Sequence, residues 1–172
     1  MDDIKVNQNP KLGSIDRPNS YIGRSIPRQN AKKHLDGGGQ FVDDLVLPRM
    51  VHVAFLRSPF AHAEIKSIDV KSAKQSDGVI DVFTAKEIDE VCKPWIGVLG
   101  HLGEMRSPEQ SPLAKNIVRW QGEPLAVVVA NSRAQAEDAL ELIEVDWVEK
   151  DAQVDMETAL DPNAVIIHPE LG

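Results

Sequence analysis

The chain has a single cysteine, Cys92, among its 172 residues. That excludes an intrachain disulfide and any zinc or iron–sulfur centre built on several cysteine ligands. Aromatic residues are scarce, at 5%, so the core must rest on Val, Ile, Leu and Ala. No apolar run approaches the ~20 residues that a membrane-spanning helix needs. The opening Met1-Asp2-Asp3 is acidic and leads into no apolar stretch, unlike a signal peptide. A cytoplasmic location without membrane contact is the expectation.

Net positive charge is also missing. The formal charge is -8, which argues against a nucleic-acid partner, because phosphate binding takes clustered Lys and Arg. The charge is uneven. Up to Leu35, seven basic side chains face three acidic ones, a net of +4, which leaves -12 for the rest. This reads either as a solvated basic tail or as an arm that docks on an acidic neighbour.

What the chain does have is enough apolar material, 42% of residues, for one domain with a real core. Residues 1–21 read as an extended basic arm. A helical turn is expected over 28–35, ended by Asp36-Gly37-Gly38-Gly39. Those glycines lack the Gly-Lys-Ser/Thr ending of a P-loop and the spacing of a dinucleotide fingerprint. Short strands are expected over 40–42, 50–56, 63–70 (with a bulge), 79–83, 118–120 and 125–130. The second is apolar on both faces and suits a central position. Thr84 with Glu87, and Ser132 with Gln135, have capping-box spacing and predict helices over 85–92 and 133–142. Short helices are also expected over 70–75 and 156–160. Alternation of Ile143, Val145 and Trp147 with Glu144 and Asp146 predicts a half-buried strand. Between Lys93 and Asn116 periodicity vanishes, and Pro and Gly punctuate a long loop. Strands and helices mix irregularly, which indicates the α+β class.

The chain offers no recognisable reaction centre. Its histidines, His34, His52, His62, His101 and His168, include no i, i+4 pair and join no Cys/His cluster. His62 follows Ser58-Pro59 in a turn, where a structural hydrogen bond is the simplest role. No Gly-x-Ser-x-Gly elbow exists, and four residues within one turn seldom place a base behind its own serine. The ten carboxylates from Glu137 to Asp161 match no EF-hand and read as a solvated surface. Cys92 has only Lys93 beside it to support reactivity.

Two unusual strings remain. One is Arg57-Ser58-Pro59-Phe60-Ala61-His62-Ala63, and the other is Gln121-Gly122-Glu123-Pro124 followed by Leu125-Ala126-Val127-Val128-Val129-Ala130. Around them stand Ile22-Gly23-Arg24-Ser25-Ile26-Pro27-Arg28, Gln40-Phe41-Val42-Asp43-Asp44, Leu47-Pro48, Val51 through Leu56, Ser67-Ile68-Asp69, Gly78 through Thr84, and Ala136-Glu137-Asp138-Ala139 through Trp147. In this order, over 22–170, they resemble the N-terminal α/β-hammerhead domain of the large subunit of the molybdenum hydroxylases. That family includes xanthine dehydrogenase, aldehyde oxidase and aerobic carbon monoxide dehydrogenase. The opening string, from Ile22 to Arg28, resembles the carbon monoxide dehydrogenase-like branch more than the eukaryotic xanthine branch. Departures are Arg49, where the family often has Gly, and Gly38-Gly39, where it tends to have a small or basic residue.

The resemblance implies a hammerhead fold with mixed sheets and a few short helices, the 93–116 loop lying within it. It also implies a structural role in an oxidoreductase that uses water-derived oxygen. The complete enzyme would use molybdopterin cytosine dinucleotide, with iron–sulfur clusters and FAD on partner subunits. The partners would be the remainder of the molybdopterin subunit and the iron–sulfur and flavin subunits. The family's pterin-contacting glutamine, Gly-Phe loops and general-base glutamate lie C-terminal to the hammerhead. No catalytic, cofactor-binding or metal-ligating residue is therefore carried over, and Cys92 does not match the branch's copper-binding cysteine. The chain alone is expected to be inert, as a piece cut at a linker or as one product of a split gene. A free-standing protein-interaction or small-ligand-binding module with this fold is the alternative. Candidate interface residues are Arg57, Ser58, His62, Gln121, Gly122 and Glu123.

Overall fold

The computed structural model describes residues 28–97, 102 and 105–171. The expected arm over 1–21 and the string over 22–27 lie outside them. The chain divides into two units, Met1–Leu47 and Pro48–Gly172.

In the first unit, α1 (Ala31–Leu35) closes with Asp36 N–H donating to Lys32 O at 2.9 Å. The strand expected over 40–42 does not form. The Asp44 carboxylate accepts Phe41 N–H at 2.9 Å, and Val42–Asp44 make a 3-10 turn. A local side-chain acceptor has taken the donor that a strand would have offered to a neighbour.

The second unit runs β1 (His52–Arg57), β2 (Ala63–Asp69), α2 (Lys71–Lys74), β3 (Val79–Thr84), α3 (Ala85–Ile88), β4 (Trp95–Ile96), β5 (Glu109–Gln110), β6 (Ile117–Val118), β7 (Pro124–Ala130), α4 (Arg133–Leu140) and β8 (Glu144–Glu149). The sheets have the orders β1-β7-β3, β6-β2-β8 and β4-β5, and all these pairings are antiparallel. The α+β class and the few short helices are as the sequence indicates.

The apolar run of β7 is central, and Leu125, Ala126, Val128 and Ala130 are fully buried. Its inner face meets α4 through Ala136 and Ala139, and α2 through Ala73, in one cluster with Ala54 and Val82. These small side chains let the helices lie close to the sheet. A second cluster joins Leu125 to Ala63, Ile65, Ala114 and Val118, with Trp147 and Phe60 against it. The rings of Phe60 and Trp147 meet edge to face at 5.4 Å, a geometry their quadrupoles favour.

Local signals hold where one residue decides them. Glu87 accepts Thr84 N–H at 2.9 Å, and Thr84 Oγ1 accepts Lys86 N–H at 3.3 Å, which starts α3. Ser132 Oγ accepts Gln135 N–H at 3.3 Å and starts α4. Gly78 has φ 76°, and an added methyl group there would run into the Gln135 side chain. The bulge in β2 falls between Ile65 and Ser67.

Other expectations need correction. β1 lies at a sheet edge, not at the centre: among the described residues it pairs with β7 alone, and its second apolar face is about half exposed. α3 stops at Ile88, although Cys92 N–H still donates to Ile88 O at 2.8 Å. Residues 156–160 form turns. There Asp155 Oδ1 accepts Glu157 N–H at 2.9 Å, and Gln153 Nε2 donates to Thr158 Oγ1 at 2.9 Å, an Asx-type arrangement that competes with a helix. The long loop contains the small β4–β5 pair, Trp95 opposite Gln110 and Ile96 opposite Glu109. Among the described residues no helix is long and apolar enough to cross a membrane.

Two predictions follow from local geometry. The hydrogen bond from the Thr84 hydroxyl, foremost, holds the Glu87 carboxyl below its ordinary value of 4.5. A carboxyl lowered on folding adds stability that is full above the unfolded pKa and is lost as pH falls through the folded one. Urea midpoints should therefore fall more steeply for the wild type than for Glu87→Gln between neutral pH and about pH 3. Arg49 has φ 61°, a left-handed conformation that costs a side chain about 1–2 kcal/mol. Arg49→Gly should raise stability by about 0.5–1 kcal/mol after the entropic cost of glycine, read from urea unfolding.

Candidate functional site

Antiparallel pairing of β1 and β7 brings the two unusual strings together, with Arg57 opposite Pro124. Beyond the strands the contact continues. Ser58 N–H donates to Glu123 O at 2.9 Å, and Gly122 N–H donates to Ser58 O at 2.9 Å. The Arg57 side chain donates from Nη1 to Gly122 O at 2.9 Å. Its guanidinium also lies 5.7 Å from the centre of the Phe55 ring, within cation–π range.

The second string is a turn. Glu123 N–H donates to Trp120 O at 3.3 Å. Gly122 has φ 90°, as a type II turn requires at its third residue. The Glu123 carboxylate folds back and accepts Arg119 N–H at 2.7 Å. Glu123 is thus only partly exposed and works inside its own turn.

Ser58 and His62 are both buried. Ser58 Oγ donates to Phe60 O at 2.8 Å and accepts Phe60 N–H at 3.0 Å. His62 Nδ1 donates to Asp151 O at 2.6 Å, and His62 O accepts Lys150 N–H at 3.0 Å. Each group is committed to a different part of the domain, so they do not form a nucleophile and base. Of the six candidate interface residues, Arg57 and Gln121 are exposed, Gly122 and Glu123 are half-buried, and Ser58 and His62 lie inside.

A groove of about 1050 Å³ opens beside this junction, lined among others by Arg57, Trp95, Arg119, Trp120, Glu123 and Glu170. Sequence reasoning missed Trp95, Arg119 and Glu170. Arg119 Nε donates to Ile167 O at 3.1 Å, and its Nη2 lies 3.4 Å from Glu170. His168 Nδ1 is 2.9 Å from the same carboxylate. That hydrogen bond, foremost, and Arg119 hold the Glu170 carboxyl below its usual range. Nothing in the local sequence around Arg119 announces a partner some fifty residues away.

Among the described residues no three or more His, Cys, Asp or Glu side chains converge as metal ligands. No buried side-chain N or O atom there lacks a hydrogen-bond partner. The arrangement can hold a turn rigidly and present a mixed aromatic and charged groove. Its Ser58 and His62 are held in separate hydrogen bonds.

Comparison with known proteins agrees on one family. Residues 36–151 match the family model described as "Aldehyde oxidase and xanthine dehydrogenase, a/b hammerhead domain". The large subunit of nicotine 6-hydroxylase from Paenarthrobacter nicotinovorans is 35% identical over 160 residues, covering 92% of this chain and 18% of that protein. The carbon monoxide dehydrogenase large chain of Afipia carboxidovorans is 35% identical over 160 residues, covering 92% of this chain and 19% of that one. The crystal structure of quinoline 2-oxidoreductase from Pseudomonas putida 86 superposes with a TM-score of 0.75 at 42% identity, covering 83% of this chain and 18% of that chain. The chain therefore spans about a fifth of the length of these proteins.

The junction yields a stability prediction. Glu123→Ala leaves the Arg119 N–H without its charged acceptor. It should cost about 1.5–2 kcal/mol in urea unfolding, the lower part of the range for hydrogen bonds to charged groups because the site is partly wet. Glu123→Gln, which keeps an acceptor, should recover at least half of that loss. No loss in Glu123→Ala would show that the turn closes without the carboxylate.

Proposed function

The chain belongs to the aldehyde oxidase and xanthine dehydrogenase family as its a/b hammerhead domain, and from that premise we propose that it is the structural N-terminal domain of a molybdenum hydroxylase large subunit. The observation that carries this reading is the junction of Arg57-Ser58 with Gly122-Glu123. Its backbone and side-chain groups are consumed in holding two strands and a turn together, as befits a support and not a reaction centre.

This reading assigns no resident molybdenum pterin to these residues. The described chain offers no converging ligand set and no unpartnered buried polar atom aimed into the groove. Molybdopterin cytosine dinucleotide would belong to the remainder of the subunit. Iron–sulfur clusters and FAD would belong to partner subunits. The names of two relatives, one a large subunit and one a large chain, support a multi-subunit setting. The complete enzyme would oxidise its substrate in the cytoplasm with oxygen derived from water. Arg57 and Gln121, the exposed members of the junction, would face the remainder of the subunit.

The groove supports a second reading, a small-ligand-binding module. Trp95 and Trp120, both about half exposed, stand on its wall and would report a bound aromatic or anionic compound by saturable fluorescence quenching.

Elemental analysis of the purified chain tests the proposal. Molybdenum, iron and copper should all be far below stoichiometric, and no hydroxylase turnover should be measurable. Stoichiometric molybdenum bound to these residues would overturn it.

A further inference from the structure

Among the described residues, one sheet edge lacks the devices that discourage pairing with another chain. β3 has a register shift between Val79 and Asp81, and Asp81 is ion-paired with Lys74 at 2.8 Å. β8 exposes Glu144, Asp146 and Glu149. β4, β5 and β6 are two residues long. β1 has six residues and no acidic, Lys or Arg side chain before Arg57, and its one irregularity lies at the Leu56/Arg57 end. A free edge of this kind is ready to pair, and proteins normally blunt it with charge, proline, bulges or a cover.

The outer face at this edge is apolar as well. Val53 lies beside Val129, and Phe55 lies beside Val127, which lies beside Phe83. Val51, Val53 and Phe55 remain 46%, 49% and 46% exposed. The opposite face, with Ala54, Val82 and Val128, is the one packed against α2 and α4. Single exposed apolar residues need no explanation, but a contiguous row along one edge marks a contact surface.

Building on the functional reading above, we propose that the free edge and outer face of β1 are where the rest of the molybdenum hydroxylase large subunit docks, laying an uncharged apolar segment along Val51, Val53 and Phe55. Three observations choose this occupant. The relatives carry the same domain within chains about five times as long, so a tethered neighbour is present at the high effective concentration that linkage provides. A second copy of this chain would bring another formal charge of -8, which disfavours self-association. The face also runs into the junction, because Arg57 lies over Phe55 and is bonded to Gly122.

Hydrogen exchange tests the proposal without altering the fold. The large subunit carrying this domain, purified with its iron–sulfur and flavin partners, is compared with the 172-residue chain alone. The β1 amides not bonded to β7 should exchange roughly 100-fold more slowly in the assembled enzyme. In the assembled enzyme, Val53→Lys and Phe55→Glu should each release bound molybdenum or lower the melting temperature. Val148→Glu, on the acidic β8 edge, should do neither. Equal β1 exchange in both samples, in an enzyme that contains molybdenum, would overturn the docking surface and leave the family role intact. An assembled enzyme without molybdenum would overturn the functional reading itself. Concentration-dependent dimers of the isolated chain, abolished by Phe55→Glu, would give the face to a second copy instead and so overturn the proposal.

Discussion

Seven residues, Pro124–Ala130, sit between two strand partners and belong to two cores at once. Leu125 fills the cluster with Ala63 and Val118, while Ala126, Val128 and Ala130 fill the cluster with Val82 and α4. β7 also supplies every ladder bond that joins β1 to β3, since those strands do not touch each other directly. Its entry is fixed by the turn at Gly122-Glu123, which Ser58 and Arg57 grip from the end of β1. Displacing that turn by one residue would move each β7 side chain to the opposite face. The conformational freedom of Gly122 and the capping by Glu123 therefore set the register on which both cores depend.

The same economy decides which polar groups the junction leaves available. A general base or nucleophile needs a polar group left available and poised toward a cleft. Ser58 has spent both its donor and an acceptor lone pair on Phe60, and His62 has spent its Nδ1 proton on Asp151. Such groups add rigidity. The groove beside them inherits stiff walls, with Arg119 bridging the 117–124 region to the segment around Glu170.

Much of this was legible in the sequence because the decisive signals are local or periodic. Thr84 with Glu87, Ser132 with Gln135, and the positive φ of Gly78 in its turn each act within a few residues, although the room that Gly78 leaves for Gln135 is a long-range matter. The continuous apolar run of β7 called for burial on both faces, which its central place between β1 and β3 and its two clusters supply. What was not legible depends on partners far along the chain or absent from it. Arg119 finds Glu170 only after folding. β1 looked central because its apolar pattern records burial on two faces, whereas the described residues cover one. Asp44 and Asp155 redirected short segments from strand and helix into turns through single side-chain acceptors, a competition that periodicity does not register.

The pairing of β1 with β7 also fixes an order of events during synthesis. His52 finds its partner only at Ala130, and Phe55 only at Val127. At roughly 5–20 residues per second the ribosome takes several seconds to cover that interval. Throughout it, a strand with no Lys, Arg or acidic side chain before Arg57 waits with both edges bare, since β3 reaches it only through β7. Long-range pairing of this kind slows folding and leaves the strand open to the wrong neighbour. The nascent chain is therefore most in need of a chaperone between the emergence of the first string and that of the second.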